Sequence, residues 1–555
     1  MNDNRVIPAL LIGGALSGIF YSWYRSQGSV PLPPGPKGHV IFGSALEVST
    51  DAMFGDILYL HQAVNQIQNS GPYWLKLSEY NDQYGPIVCV RMLHKRMFVI
   101  SDPNLISELF EKRAANYSDR NISGMARLIG WDKNVVFTPY GPLLKRYRTM
   151  LQRALNNRVS LDYIPLQQYE IQRFMRRLID QPGEFMAHVH LMAASIAVRI
   201  AYGYKVNSAD DHIVQAAEEL MSAFSDIAAP ARWAVNILPL LRYLPEWFPL
   251  ISFHRRARDI RRMDAVAQNE PFEYVLKQMA EGTAEDSFTS KLLQPDDGQP
   301  IDDETKEQIK SVASTLYGAG SDTTVSGVQS FFLAMTLYPD VQAKAQAEIA
   351  TYLKQRSTKG DPSRMILPAD RPNLPYTSAI VHEVLRWHPI TNMVAHRSSD
   401  QDDCNVVSGG KVYRILAQSL VMANIWKIMH DPDVYIEPGK FRPERYLAEN
   451  PPPEPENYAF GFGRRYVGEQ HDKLELNLPS CYRICPGLHI AQQSMWISIS
   501  NTLANFTITK ARDENGMEIT PEERYSTGLI SHPLPFKCSI TPKEGCEEWL
   551  REVTE

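Results

Sequence analysis

Two short stretches near the C-terminal end hold the residue types best suited to chemistry. They are Phe460-Gly461-Phe462-Gly463-Arg464-Arg465 and Arg483-Ile484-Cys485-Pro486-Gly487. Cys485 stands just ahead of an apolar helical run from Ile490 through Trp496 to Leu503. A cysteine at a helix N-terminus has its thiolate favoured by unpaired backbone N–H groups and the helix dipole. A thiolate so held suits a metal ligand; a lone cysteine beside glycine is also a common buried structural thiol.

A second candidate lies in the middle of a long helical pattern, Ser311 to Leu337: Ala319-Gly320-Ser321-Asp322-Thr323-Thr324. Glycine and aspartate are poor helix-interior residues, and threonine can bond back to a preceding carbonyl and bend the helix. Such a local conflict in an apolar helix marks function more often than accident. The Ala-Gly pair lets something approach the backbone, while Asp322 and Thr323 add a proton source and a hydroxyl donor. A third candidate is Glu383 with Arg386, three apart on one helical face, followed later by Phe441-Arg442-Pro443-Glu444-Arg445-Tyr446.

Joined end to end, the two C-terminal stretches read F-G-F-G-R-R-I-C-P-G. This resembles the haem-binding signature F-x-x-G-x-R-x-C-x-G of the cytochrome P-450 family of haem-thiolate monooxygenases. The helical hexapeptide resembles that family's [AG]-G-x-[DE]-T-[TS], and the third set its E-x-x-R and P-E-R-[FY]. The resemblance spans about residues 31–540 with the motifs in family order. It is strongest to fungal members that include the O-methylsterigmatocystin oxidoreductase type.

The resemblance implies roles residue by residue. Cys485 is the axial thiolate of haem b. Thr323 donates a hydrogen bond to dioxygen, and Asp322 feeds a proton relay. Glu383, Arg386 and Arg445 form a buried structural triad. Haem propionates fall to Arg148, His396 and the arginine of R-x-C, a place that Arg465 and Arg483 both fill. Leu144 stands where the family has tryptophan in W-x-x-x-R, within the basic helix that starts at Tyr140. Ala319, Ile390, Val394 and Leu529 are expected to face substrate.

Residues 466–483 have no counterpart in the family pattern. Their removal restores the signature without a seam, since Arg465 before and Arg483 after are the same residue. We read these eighteen residues as a retained 54-nucleotide intron. Residues 53–71 are a weaker second suspect.

The rest of the chain must position these groups. Its 555 residues are 44% hydrophobic and 22% charged with net charge −6, which suits a large globular core and disfavours nucleic acid as a partner. The six cysteines include no C-x-x-C pair, so neither a disulfide scaffold nor a zinc site is suggested. Val6 to Tyr24 carries no charge and is long enough to cross a bilayer as a helix, with Trp23 and Tyr24 at its end. A cleaved signal peptide is the rival reading. Pro31 to Pro36 makes a stiff spacer. Strands are expected at 87–92, 97–100, 392–397, 412–415 and 529–540, and helices at 168–178, 211–224, 304–337 and 376–387. Leu240 to Leu250, apolar and proline-broken, reads equally as a buried loop or as a second membrane contact.

The expected protein is therefore α+β, predominantly helical, with the cytochrome P-450 fold. Residues 1–27 form an anchor, 28–37 a hinge, 38–545 one haem domain and 546–555 a tail. The resemblance implies a monooxygenase acting on an apolar small molecule in secondary metabolism, fed by NADPH-cytochrome P-450 reductase. It would be a single-pass protein of the endoplasmic reticulum membrane, with its catalytic domain on the cytosolic side. No strand–helix G-x-G-x-x-G unit supplies a flavin or nicotinamide domain. Two rivals stay open: a peroxide-using or isomerising haem-thiolate enzyme without a reductase, and a non-catalytic haem-binding protein disabled by residues 466–483.

Overall fold

The computed structural model describes residues 30–38 and 72–554, apart from short breaks at 93–94, 207, 209, 229–232, 238, 248–251, 295–297 and 360–362 and a longer one at 463–483. The anchor, residues 53–71, Arg465 and Arg483 thus lie outside the described residues. Among these, helices of nine residues or more are α1 Tyr73–Tyr84, α2 Pro142–Leu155, α3 Ile164–Asp180, α4 Phe185–Tyr202, α5 His212–Ala228, α6 Phe253–Glu281, α7 Asp303–Leu337, α8 Pro339–Thr358, α9 Pro375–Trp387, α10 Leu488–Asn505 and α11 Cys546–Thr554.

Apolar periodicity decides the layering. Buried Phe174 of α3, Phe185 of α4, Phe331 and Phe332 of α7, Trp387 of α9 and Trp496 of α10 meet in the largest core cluster. Phe332 takes Phe174 edge-on with ring planes at 90°, the geometry that the ring quadrupole favours. α4 is almost wholly buried because it is apolar on every face. The segment 182–202 is the one described stretch long and apolar enough to cross a membrane, but 78% of that apolar window is buried, so it is a core helix.

The main sheet has the order β1-β2-β6-β3, from strands Ile87–Met92, Lys95–Ile100, Leu420–Asn424 and Met393–Arg397. β1 and β2 form the expected hairpin, with Cys89 opposite Phe98. β3 runs antiparallel to β6, and this register puts His396 opposite Val421. β4 Asp403–Ser408 and β5 Lys411–Ile415 close through Gly409-Gly410, both at positive φ, the two-residue turn whose twist suits a hairpin. A third sheet, β8-β7-β9, joins Glu518–Ile519, Phe506–Arg512 and Cys538–Pro542.

Three expectations are corrected. The strand expected at 529–540 forms only over Cys538–Pro542; Pro533 and Pro535 cannot donate to a ladder. Residues 524–534 instead make a closed loop, with Ser526 donating to the His532 carbonyl and Leu534 to that of Arg524. The proline segment is no free spacer: Cys89 N–H donates to the Pro34 carbonyl and Arg414 N–H to that of Pro31. A Cβ on Gly35 would lie 2.0 Å from the Cys89 carbonyl oxygen, so only glycine allows this approach. Finally, residues 546–554 are helix α11 and not a loose tail, with Cys546 and Leu550 buried in the main core.

Candidate active site

α2, α4, α7 and α10 surround a cavity of about 250 Å³. Cys485, Pro486 and Gly487 form one wall as they enter α10, and Ala319, Gly320 and Thr323 of α7 form another. Two sequence motifs 165 positions apart, at Gly320 and Cys485, thus face one space because α7 and α10 pack side by side. Ala319 and Gly320 are exposed onto it, in contrast to the buried run from Thr324 to Thr336. α7 runs unbroken through the hexapeptide. The Thr323 hydroxyl donates to the Ala319 carbonyl at 2.7 Å and that of Thr324 to the Gly320 carbonyl at 2.8 Å. A hydroxyl has one hydrogen and two lone pairs, so Thr323 offers the cavity a lone pair until it releases Ala319.

The Cys485 thiol is pushed up by burial, with the Gly487 N–H and the Arg148 charge opposing. The Cys485 N–H donates to the Phe460 carbonyl at 2.9 Å, and Gly461 takes φ 79° beside it. Arg148 lines the same cavity, and its Nη2 donates to the Ile484 carbonyl at 2.5 Å. Leu144, in the tryptophan position, lines it too. Arg120 also lines it and bonds the Ala395 carbonyl; no pattern in the sequence singled it out. The walls are otherwise mostly apolar: among the described residues they carry one thiol, two guanidinium groups, the hydroxyls of Thr315, Thr323, Thr324 and Ser494, and no carboxylate. That donor set fits a flat apolar macrocycle carrying two carboxylates and a metal that takes sulfur.

Asp322, adjacent in sequence to Thr323, is absent from the cavity lining and faces the 524–534 loop. His396 is buried on β3, stacked on Phe110 with ring centroids 4.1 Å apart and 2.6 Å from the Tyr117 carbonyl through Nδ1. Donation from Nδ1 makes Nε2 of the neutral ring an acceptor, so pairing with a propionate there needs the imidazolium. Of the four residues expected to face substrate, Ala319 lines the cavity. Ile390, Val394 and Leu529 are not among its lining residues; Ile390 packs toward Gly327 of α7.

The structure brings Glu383, Arg386 and Arg445 together under α9. Arg386 binds Glu383 through two bonds, at 2.9 and 2.8 Å, and Arg445 Nε reaches the same carboxylate at 3.1 Å. Glu383 and Arg386 are fully buried. The excess positive charge is met by carbonyls: Arg386 donates to Met429, Pro438 and Lys440, and Arg445 to Ile436 and Lys440. Those carbonyls belong to the segment leading to Phe460, so the triad fixes the chain that approaches Cys485.

Comparison with known proteins agrees with this geometry. The cytochrome P-450 family profile matches residues 33–478. Cytochrome P-450 monooxygenase claR of Ampulloclitocybe clavipes is 33% identical over 530 residues, 94% of this chain and 88% of that protein. Cytochrome P-450 monooxygenase 208 of Postia placenta is 33% identical over 559 residues, covering 99% and 98%. A zebra fish cytochrome P-450 solved with progesterone superposes with TM-score 0.64 at 19% identity, over 85% of this chain and all of that one. On this match of sequence, fold and site, the chain belongs to the cytochrome P-450 family of haem-thiolate monooxygenases.

Proposed function

We propose that this enzyme inserts one atom of dioxygen into an apolar small molecule of fungal secondary metabolism. The carrying observation is that the Cys485 thiol and the Thr323 hydroxyl line one mostly apolar cavity whose only charged lining groups, among the described residues, are Arg120 and Arg148. Haem b would be held by Cys485, with Arg148, Arg120 and His396 as the groups to meet its carboxylates, and would supply the oxygen chemistry. In sum, substrate, dioxygen, two electrons and two protons give hydroxylated product and water.

The protein's part is orientation, exclusion of water and proton supply. Apolar side chains such as Leu316, Ile196 and Ile490 keep the cavity dry and favour an apolar substrate. Thr323 turns its hydroxyl from Ala319 toward the cavity to donate a proton, and Asp322 replenishes it. Arg148 also fixes the Ile484 carbonyl and so the approach of Cys485. Electrons come from NADPH-cytochrome P-450 reductase, with the haem domain on the cytosolic side of the endoplasmic reticulum membrane.

Leu240, Tyr243 and Trp247 are 78%, 70% and 80% exposed, which rules out the buried-loop reading for these residues. Side chains with an apolar body and polar tip suit a bilayer interface, and we assign them a second membrane contact beside residues 1–27.

The test is the reduced carbon-monoxide difference spectrum of the purified full chain. A Soret band displaced far to the red, absent from Cys485→Ser, is expected. A Cys485→Ser protein that keeps both band and turnover refutes the assignment.

A further inference from the structure

Asp322 has a partner that the reaction as described does not use. His532 Nε2 lies 3.2 Å from Asp322 Oδ1, with the side chains 22% and 17% exposed. The pair therefore stands between solvent and the interior. His532 comes from the 524–534 loop, some 200 positions away in sequence, and its placement is built. Its own N–H donates to the Ser526 hydroxyl at 3.0 Å, and Ser526 N–H returns to the His532 carbonyl at 2.8 Å. The preceding residue is clamped from two sides. The Ser326 hydroxyl of α7 donates to the Ser531 carbonyl at 2.6 Å, and Ser531 N–H donates to the Ile390 carbonyl at 2.9 Å. The loop backbone is thus pinned one helical turn from Asp322, which keeps the Cα of His532 within side-chain reach of the carboxylate.

We propose that His532 is the outer member of the proton path, a positioning and relay residue that hands protons to Asp322. This rests on the reading of Asp322 and Thr323 given above. Thr323 faces the cavity, while Asp322, about 100° further round α7, faces the loop. A carboxylate there can serve the threonine repeatedly only if something reloads it from outside. Imidazole suits that task because it gains and loses a proton near neutral pH. The proton leaves Nε2 for Asp322 Oδ1, and the ring retakes one from solvent; no electron moves at this step. His532 also holds Asp322 turned away from the cavity between deliveries.

The test uses the full chain with reductase and NADPH in the absence of added substrate, where each turnover of dioxygen still consumes protons. His532→Gln keeps a hydrogen-bond donor for Asp322 but cannot exchange a proton at physiological pH. NADPH consumption is expected to fall about tenfold, part of the 10²–10⁴ that general acid–base groups contribute, with an altered solvent isotope effect. Combining it with Asp322→Asn should give no loss beyond that of Asp322→Asn alone. Two further readouts separate relay from damage: an unchanged carbon-monoxide band, and unchanged hydrogen exchange over residues 524–534. A His532→Gln enzyme with wild-type rate and isotope effect overturns the proposal, as does a rate loss that tracks increased exchange of that loop. If Asp322→Asn and Thr323→Ala also leave the rate unchanged, the underlying acid–alcohol reading has failed instead.

Discussion

The Cys485 backbone N–H donates to the Phe460 carbonyl at 2.9 Å although residues 461–484 separate them. This bond joins the two halves of the interrupted signature on either side of residues 466–483. A longer loop adds little closure entropy, so the segment costs the contact little. Without it Arg465 would precede Ile484 directly, and we expect the same contact to form across the shorter loop. We therefore expect the mature transcript to lack 54 nucleotides at this junction. Sequencing the message across the junction decides it; a mature message that encodes these residues removes the intron reading.

The triad makes a stability prediction. Glu383→Ala leaves Arg386 and Arg445 buried with unmatched charge. Breaking a buried pair from one side costs about 3–5 kcal/mol. Glu383→Ala is expected to lower the unfolding free energy by that amount, and the denaturation midpoint with it, and to cost the protein its haem, through the shifted chain before Phe460. Arg386→Lys keeps the charge but loses the two-bond grip on Glu383 and should fall between. Denaturant titration followed by the Soret band measures both; a fully stable Glu383→Ala protein contradicts the assigned structural role.

Acid sensitivity should follow from two buried imidazoles. Burial, aided by the nearby Arg386 charge, depresses His430 to about 3, and burial holds His388 well below its ordinary value. His388 is stacked on Tyr525 and His430 on Trp426. Both folded-state values lie below that of the unfolded chain, near 6.5, so the unfolded chain takes up protons first as pH falls. Their contribution is intact above about pH 6.5 and is lost downward, reaching about 3 for His430. Each histidine adds a slope of about 1.4 kcal/mol per pH unit in that window. Melting temperature against pH should show this fall, and His430→Phe should flatten it.

The exposed trio Leu240, Tyr243 and Trp247 gives a membrane prediction. In a version lacking residues 1–27, replacing all three by serine should weaken vesicle binding at least about tenfold, since one apolar side chain transferred is worth more than 1.4 kcal/mol. Co-sedimentation with phospholipid vesicles measures it. Unchanged binding would assign these residues another role.

What the sequence determined by itself was local. Helical periodicity pointed to a helix over 304–337, and α7 spans Asp303–Leu337; residue type, with the resemblance to family motifs, picked out Cys485, Thr323 and the Glu383–Arg386 pair. Hydrogen-bonding capacity and helix geometry act within a few residues, so a string of letters suffices to read them. The tertiary structure alone decided which distant groups meet. It put Arg120 on the cavity wall, carried His532 to Asp322, laid the proline segment along β1 and buried α11 in the core. It also left Ile390, Val394 and Leu529 outside the cavity lining. Those outcomes depend on how α7, α10 and the C-terminal loop pack, a long-range property that no single spacing encodes.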